Sequence, residues 1–512
     1  MKPLSLQLGQ AIVMSLALTI TLASAQQQRK VPVSHAHTER SFEILESVIE
    51  HLQTFGETVA DTFYSLIQSI SGLFICPQHT TSKFNYDVTL VGFVNSADGI
   101  GRHPILFKEC LENKVKINFL STRNIAPDVE DSQLGLPRLN PANKNDIGAV
   151  SILTDILGDQ KLNIYKLVPE SIIKIAYTMF ESTCIPNNWA SILNDNFDMA
   201  VVPDQFLVDI YKKCGVKIPI FVLPLPLILN EFLKLKQRTT PHKPFVFGMS
   251  GGFWKRKNHM RVLEAFAAEF GNRSDVKLRL HGRFGQEDII QALADKIREY
   301  NLTNVELIVK PYNWDEYIEF FKSLDCYAFL SMGEGFSITP REALACGKPC
   351  ILSDNTAHNT ICDSGCVRVV PSNIPVSAFY DCHYDAYCYA NYGCAYNLTY
   401  GKNYDAAHND GIDNQIELLC RSGNVGYQFD CTTQDAQEAM RDVYQNYSLY
   451  TKKACEGRKW VKQYLHKNLC ERYVSLVKPE SIILGEENII GDNFLMTNSK
   501  TLYEKYRYIL SN

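Results

Sequence analysis

The sequence predicts an α/β protein made of two doubly wound domains that face each other across a cleft. Three observations carry this reading. The first is a double series of short apolar runs alternating with helical stretches. One series is YDVTLVGFV, a helix near 103–113, KVKINFL, DIGAVSILTDIL, IIKIAYTMF, FDMAVVP and PIFVLPLPL. The other is KPFVFGMSG, a helix near 258–270, VKLRLHG, a helix near 286–299, VELIVK, a helix near 313–323, CYAFLS, a helix near 338–346 and PCILS. Alternation of this kind gives parallel strands with helices on both faces of each sheet. The second observation is the stretch Thr239-Thr240-Pro241-His242-Lys243-Pro244 between the series, which reads as a linker. The third is length: 512 residues suit two large domains. In such sheets ligands sit beyond the carboxyl ends of the strands, here in the cleft.

Taken in order, residues 1–25 read as a signal peptide or signal anchor. Lys2 gives a short charged start, Ile12 to Leu22 is mostly apolar, and Ala23-Ser24-Ala25 fits a small-x-small cleavage site. Residues 26–85 form an N-terminal extension, helical where Phe42, Leu45, Val48, Ile49 and Leu52 recur at helical spacing. The first doubly wound domain is 86–240 and the second 241–450. A Cys/Tyr-rich insert at 376–431 interrupts the second, and C-terminal helices and a tail fill 451–512.

Composition bounds the function. Hydrophobic residues at 46% and charged residues at 21% exclude a disordered or collagen-like chain. The net charge of −5, without a basic patch, gives no general attraction to nucleic acid. Sixteen cysteines are too few for a disulfide scaffold of this length. Cys326, Cys346 and Cys350 read as buried thiols, while Cys362, Cys366, Cys382, Cys388, Cys394, Cys420 and Cys431 crowd late in the chain. Cys362-x3-Cys366 and Cys382-His383 lack the second pair that a tetrahedral zinc site needs, so no metal is expected. In an oxidising compartment, disulfides within the insert fit better; in a reducing one these cysteines are simply thiols.

The strongest chemical signal is Glu334-Gly-Phe-Ser-Ile-Thr-Pro-Arg-Glu342, directly after the strand CYAFLS. Gly335 permits a tight turn and close approach of a ligand to the backbone. Residues 335–339 then enter a helix, whose unsatisfied N–H groups attract phosphate. The two carboxylates straddle this turn, each suited to vicinal hydroxyls. A phosphate between two sets of hydroxyls describes a sugar nucleotide. A plain helix-dipole role would explain one Glu but not the whole string. A second signal is Ser250-Gly251-Gly252-Phe253-Trp254-Lys255-Arg256-Lys257-Asn258, where glycines and then bases at a strand-to-helix turn suit a diphosphate. For Lys255 simple solvation suffices. A third is the turn carrying Asp98, Gly99, Gly101 and Arg102, either the floor of the cleft or a tight structural turn.

These strings resemble a known family. DCYAFLSMGEGFSITPREALACGKPCILSD is similar to the donor-binding half of the group 1 glycosyltransferases (glycosyltransferase family 4, GT-B fold), and Glu334 with Glu342 matches that family's E-x7-E motif. YTMFESTCIPNNWASILNDNFDMAVVPDQFLVDIYKKCGV and GRKWVKQY resemble further blocks, and the likeness runs over about 86–475. The resemblance implies a GT-B architecture of two Rossmann-like domains, with C-terminal helices crossing back to the first. It also implies a retaining transfer from a nucleotide-diphosphate sugar, which is a co-substrate; no cofactor or metal is implied. By resemblance Glu334 and Lys257 are catalytic, Glu334 meeting the donor sugar and Glu342 the ribose. Gly335, Phe336, Ser337 and Arg256 would hold the diphosphate. Gly99, Gly101, Arg102 and Glu181 are candidates for the acceptor or phosphate side, with a polar structural role as the alternative for Glu181.

The chain departs from the family in places. Gly251 stands where many members have Arg, so Arg256 is the candidate substitute. The histidine common in the first half of the family is not located. The expected partners are a nucleotide sugar and a carbohydrate, lipid or protein acceptor, with membrane association through the N-terminus. The signal suggests export or tethering, whereas donor supply favours a cytosol-facing, lumenal or host-delivered enzyme. The competing readings are an exported two-lobed solute-binding protein and a catalytically inactive relative that binds a sugar nucleotide.

Overall fold

The computed structural model describes residues 84–95, 99–122, 136–137, 146–158, 164–283, 285–379 and 424–477. The expected signal, nearly all of the N-terminal extension, Asp98, most of the insert and the tail after 477 lie outside the described residues. None of the described helices is long and apolar enough to cross a membrane.

The first sheet runs through β1 (Tyr86–Gly92), α1 (His103–Leu111), β2 (Ile117–Ser121), β3 (Gly148–Leu153), β4 (Ile173–Tyr177), α2 (Trp189–Asn196), β5 (Met199–Val202), α3 (Phe206–Lys213) and β6 (Ile220–Val222). Its six strands are parallel in the order β2-β1-β3-β4-β5-β6. The order reverses between β1 and β3. The loop after β1, which carries Gly99, Gly101 and Arg102, therefore opens at the switch point where such sheets bind ligands.

A short helix, α4 (Asn230–Lys234), leads to the second sheet. This half comprises β7 (Phe245–Ser250), α5 (His259–Phe270), β8 (Val276–Gly282), α6 (Glu287–Glu299), β9 (Val305–Val309), α7 (Trp314–Lys322), β10 (Cys326–Phe329), α8 (Ile338–Ala345), β11 (Cys350–Asp354), α9 (Ala357–Cys362) and β12 (Arg368–Pro371). The order is β12-β11-β10-β7-β8-β9, again parallel. Here the reversal falls between β7 and β10. The two strongest sequence motifs follow those two strands, so one crevice receives both. All of β7 and β10 is buried, as expected for strands covered on both faces. Gly248 in β7 lies against Leu324, whose Cδ2 would be 2.4 Å from an added Cβ.

The two ends of the insert form an antiparallel ribbon, β13 (Ile374–Phe379) with β14 (Asn424–Asp430). Its base is fixed to the second half: Phe429 N donates to Met332 O at 2.8 Å, and Asp430 accepts from Arg261 and Asn258 at 2.7 Å each. Its far end reaches the first half. Thr183 N donates to Tyr427 O and Cys184 N to Val425 O, both at 3.0 Å. Ser182 Oγ donates to Val425 O and Tyr427 N to Thr183 Oγ1, both at 2.9 Å. Ala378 and Val425 are buried in a core with Phe180, Ile185 and Trp189.

Three helices close the described chain: α10 (Thr433–Gln445), α11 (Tyr447–Trp460) and α12 (His466–Val477). The Thr432 side chain caps α10 by accepting from Asp435 N at 3.0 Å. Helix α10 packs on α5, with Arg441 holding Glu269 at 2.6 Å. Helix α12 lies on α1 of the first half. There the Tyr473 ring meets Phe107 edge-on at 4.8 Å, and its hydroxyl donates to Pro224 O at 2.8 Å.

Candidate functional site

A cavity of about 780 Å³ lies between the two halves, bounded by the loops after β1, β7 and β10 and by the ribbon. Its charged centre is Glu334, which is 5% exposed. Lys257 Nζ donates to both Glu334 oxygens, at 2.7 and 2.9 Å. Ser331 Oγ donates to Oε1 at 2.6 Å, and Arg256 Nη1 to the same oxygen at 3.1 Å. Burial alone would raise the Glu334 carboxyl, but the cations Lys257 and Arg256 outweigh it and bring its pKa to about 2. The Lys257 ammonium is pushed below its ordinary range by burial and by neighbouring Arg256. The cluster is thus a held ion pair: a carboxylate fixed in its charged form and a cation aimed from the opposite loop.

Arg256 extends beyond this pair. Its Nη1 donates to Gly333 O at 2.6 Å, and its Nη2 to Glu181 Oε1 of the first half at 2.7 Å. Glu181 therefore lines the cavity as the far end of a cross-cleft ion pair. Gly251, at the position where the resemblance leads one to expect Arg, brings no cation of its own and lies against Phe329 and the stem of Lys257.

Gly335, Phe336 and Ser337 line the cavity at the start of α8. Among the described residues their backbone N–H groups have no acceptor, so they are the orphan donors of a helix start. Gly335 has no room for a side chain: an added Cβ would come within 2.8 Å of Met179 in the first half. Ser337 adopts φ 65°, an uncommon conformation for a residue other than glycine. Its Oγ shares a 2.8 Å hydrogen bond with His358 Nε2. Arg341 lies fully buried behind this turn, 3.9 Å from the Phe336 ring, and its Nη1 donates to Phe336 O and, at 3.0 Å, to Ser337 O. Arg341 thereby turns two carbonyls inward and leaves the N–H face toward the cavity.

Glu342 sits one turn deeper in α8 and is completely buried. Arg102 Nη2 of the first half donates to Oε1, and the Tyr317 hydroxyl to Oε2, each at 2.7 Å. The cavity wall at this point is made by Arg102 and Tyr317 rather than by Glu342 itself. Burial and the Glu342 charge both push the Tyr317 hydroxyl well above its ordinary range. Arg102 follows a tight turn. Asn95 N donates to Gly101 O at 2.9 Å, and a Cβ on Gly101 would meet Asn95 at 2.5 Å. Gly99 borders open space, with nothing within 4 Å of an added Cβ.

Several lining residues were not singled out in the sequence. His103, the first residue of α1, lines the cavity, and its Nδ1 is 3.2 Å from Thr154 O. Its signal was available, because it directly follows the Gly99–Arg102 turn. His281 stacks on Tyr312 at 3.9 Å, and Trp254 and Trp314 complete an aromatic rim. Asp204 of the first half faces Arg341 Nη2 at 3.8 Å; only the folded chain brings these two together. Among the described residues no group of three or more His, Cys, Asp or Glu side chains could hold a metal ion. Cys362, Cys366 and Cys431 are buried thiols.

Comparison with known proteins agrees with this geometry. Residues 231–370 match the family model described as "Glycosyl transferases group 1". That segment carries α8 and both loops of the second half that enter the cavity. Among solved structures, the chain is similar to Anabaena HepE, solved in complex with UDP and glucose. The identity is 10%, 77% of this chain and 99% of that one are covered, and the TM-score is 0.53. It is also similar to sucrose-phosphate synthase from Thermosynechococcus elongatus, at 12% identity with 76% and 98% covered and a TM-score of 0.51. No curated protein matches the chain. At these identities the likeness fixes the fold, which is GT-B: two parallel six-stranded sheets across a cleft.

Proposed function

We propose that this chain is a retaining glycosyltransferase that moves a sugar from a nucleotide-diphosphate sugar to an acceptor, with a uridine-diphosphate sugar as the first donor class to test. One observation carries the reading. The Glu334–Lys257–Arg256 cluster and the unpartnered N–H groups of residues 335–337 converge at a single switch point of the second sheet. An anhydride of two phosphates fits the N–H groups, and a sugar fits the carboxylate beside them.

In this reading the diphosphate lies at the start of α8, where helix N–H groups and Lys257 oppose its charge. The bond from the anomeric carbon to the diphosphate oxygen breaks, and negative charge grows on that oxygen. Donors already in place at that point lower the barrier because they do not have to reorganise. Glu334 holds Lys257 and meets the sugar hydroxyls. Arg256 fixes Glu334 against the first half through Glu181. The acceptor oxygen forms the new bond to the same face of the anomeric carbon, and its proton leaves with the departing diphosphate. The donor is a co-substrate, and the reading assigns no cofactor.

The test is a panel of UDP-, GDP- and ADP-sugars, followed by thermal unfolding and by release of nucleoside diphosphate. One donor should raise the unfolding midpoint, since a ligand bound only by the native state stabilises it. Lys257→Ala and Glu334→Gln should lose the release. A panel without any shift or release overturns the reading.

A further inference from the structure

Glu342 has no open path to the cavity, because both of its oxygens already accept a hydrogen bond and the wall in front of it is Arg102 and Tyr317. We propose that Arg102 is a latch on the nucleotide seat. An arriving ribose diol takes its place on Glu342, and the displaced guanidinium turns to the diphosphate at the start of α8. This inference rests on the donor reading above, taken together with the ribose role that the family resemblance implies for Glu342.

Two donors cover Glu342, and the geometry says which one leaves. Tyr317 belongs to the same half as Glu342, and its ring is fixed edge-on between Phe232 at 6.2 Å and Phe321 at 5.1 Å. Arg102 comes from the opposite half, its side chain is 13% exposed, and it approaches along the cavity wall. Its backbone is held on both sides, by Asn95 N donating to Gly101 O at 2.9 Å and Leu106 N donating to Arg102 O at 3.0 Å, so the long side chain is the part that swings.

The exchange leaves no charge stranded. Removing one partner of a buried ion pair ordinarily strands the other. Here two ribose hydroxyls are donors that can replace the guanidinium on the carboxylate. The guanidinium gains two phosphate groups in the same cavity, where bidentate pairing suits its fork of N–H groups. The latch lowers apparent affinity for anything that binds Glu342, by the fraction of molecules in which the seat is uncovered. It lowers affinity less for a ligand that also brings phosphates. The seat therefore discriminates a diphosphate donor from a bare nucleoside.

The test compares full-length wild type with Arg102→Ala by titration calorimetry. The probes are UDP, GDP and ADP and their nucleosides uridine, guanosine and adenosine. Arg102→Gln serves as a second variant that keeps the stem and a polar end if the alanine form fails to fold. For the base that binds, the nucleoside should bind the variant at least about tenfold tighter. The diphosphate should gain less or lose, so the ratio of nucleoside Kd to diphosphate Kd should fall. Nucleoside affinity that is unchanged or weaker in both variants overturns the latch while leaving the donor reading intact. If neither wild type nor variants bind any of the six probes, the donor reading fails and the latch fails with it.

Discussion

On the second-half wall of the cleft, Lys257 and Arg256 both lie within 3.1 Å of the Glu334 carboxylate and converge on the same oxygen. On the first-half wall, Arg102 and Glu181 each form an ion pair with a residue across the gap. Between them that wall is Ile100, Ile156, Met179, Phe180 and Trp189. The second half concentrates charge through short-range chain geometry, as two strand-to-helix turns at one switch point. The first half supplies a largely apolar wall that also carries His103, and two ions that tie the halves together. The chemistry of the leaving group is therefore local to one half, whereas the way the cleft closes depends on both.

The largest expected effect tests that division. Glu334→Gln or Lys257→Ala should lower donor turnover by about 10²–10³-fold, the range for losing a prearranged charge in a buried site. Glu181→Gln should cost about tenfold or less, because Arg256 keeps Glu334 and Gly333 O as partners. Nucleoside diphosphate release measures both, and equal losses would erase the contrast between the walls. Next in size is the ribbon. Val425→Asp buries an unpaired carboxylate against Trp189 and Ile185 and should destabilise by about 3 kcal/mol in denaturant unfolding.

A smaller effect concerns pH. Burial lowers the pKa of His281 and of His358 to about 4 each. Both belong to the second half. The unfolded chain takes up these protons near pH 6.5, whereas the folded chain resists until about pH 4. The stability they contribute is therefore full above pH 6.5 and is lost as pH falls toward 4, by about 1.4 kcal/mol per pH unit for each imidazole. Glu334, with its pKa lowered to about 2, adds a further loss only below the ordinary carboxylate range. Unfolding midpoints measured from pH 7 to 4 should fall, and His358→Asn should flatten the fall by about one proton. The smallest expected effect is Ser182→Ala, which removes one hydrogen bond to the ribbon and should cost about 1 kcal/mol.

What the sequence made legible follows the same division. The 326–354 string could be read because strand, turn, helix start and both acids lie within one short segment. The alternating apolar runs give eleven of the twelve strands of the two sheets approximate places for the same reason; β12 (Arg368–Pro371), a short edge strand, is the one they miss. Arg102 was read as a candidate for the acceptor or phosphate side, but its bond to Glu342 spans 240 positions and the gap between halves. No periodicity records such a bond. Arg341 stands inside the strongest string, yet its task of turning the Phe336 and Ser337 carbonyls inward appears only in three dimensions. The insert at 376–431 lacked the regular rhythm of its neighbours. Its ends nonetheless pair, because each strand finds its partner beyond the intervening segment and a docking edge at residues 182–184.

The ribbon bears on how the two lobes can move. A two-lobed protein swings when its connecting strands run close to one line. Here the chain passes between lobes side by side at Leu227 and Leu465, which form a parallel bridge. Ser182, Thr183 and Cys184 add a separate fastening beyond β4, where four hydrogen bonds and two sealed apolar side chains resist separation. A wide jaw-like gape would tear that fastening. Parting the halves at this side of the crevice therefore means breaking those four hydrogen bonds or carrying the ribbon away from its base on the second half.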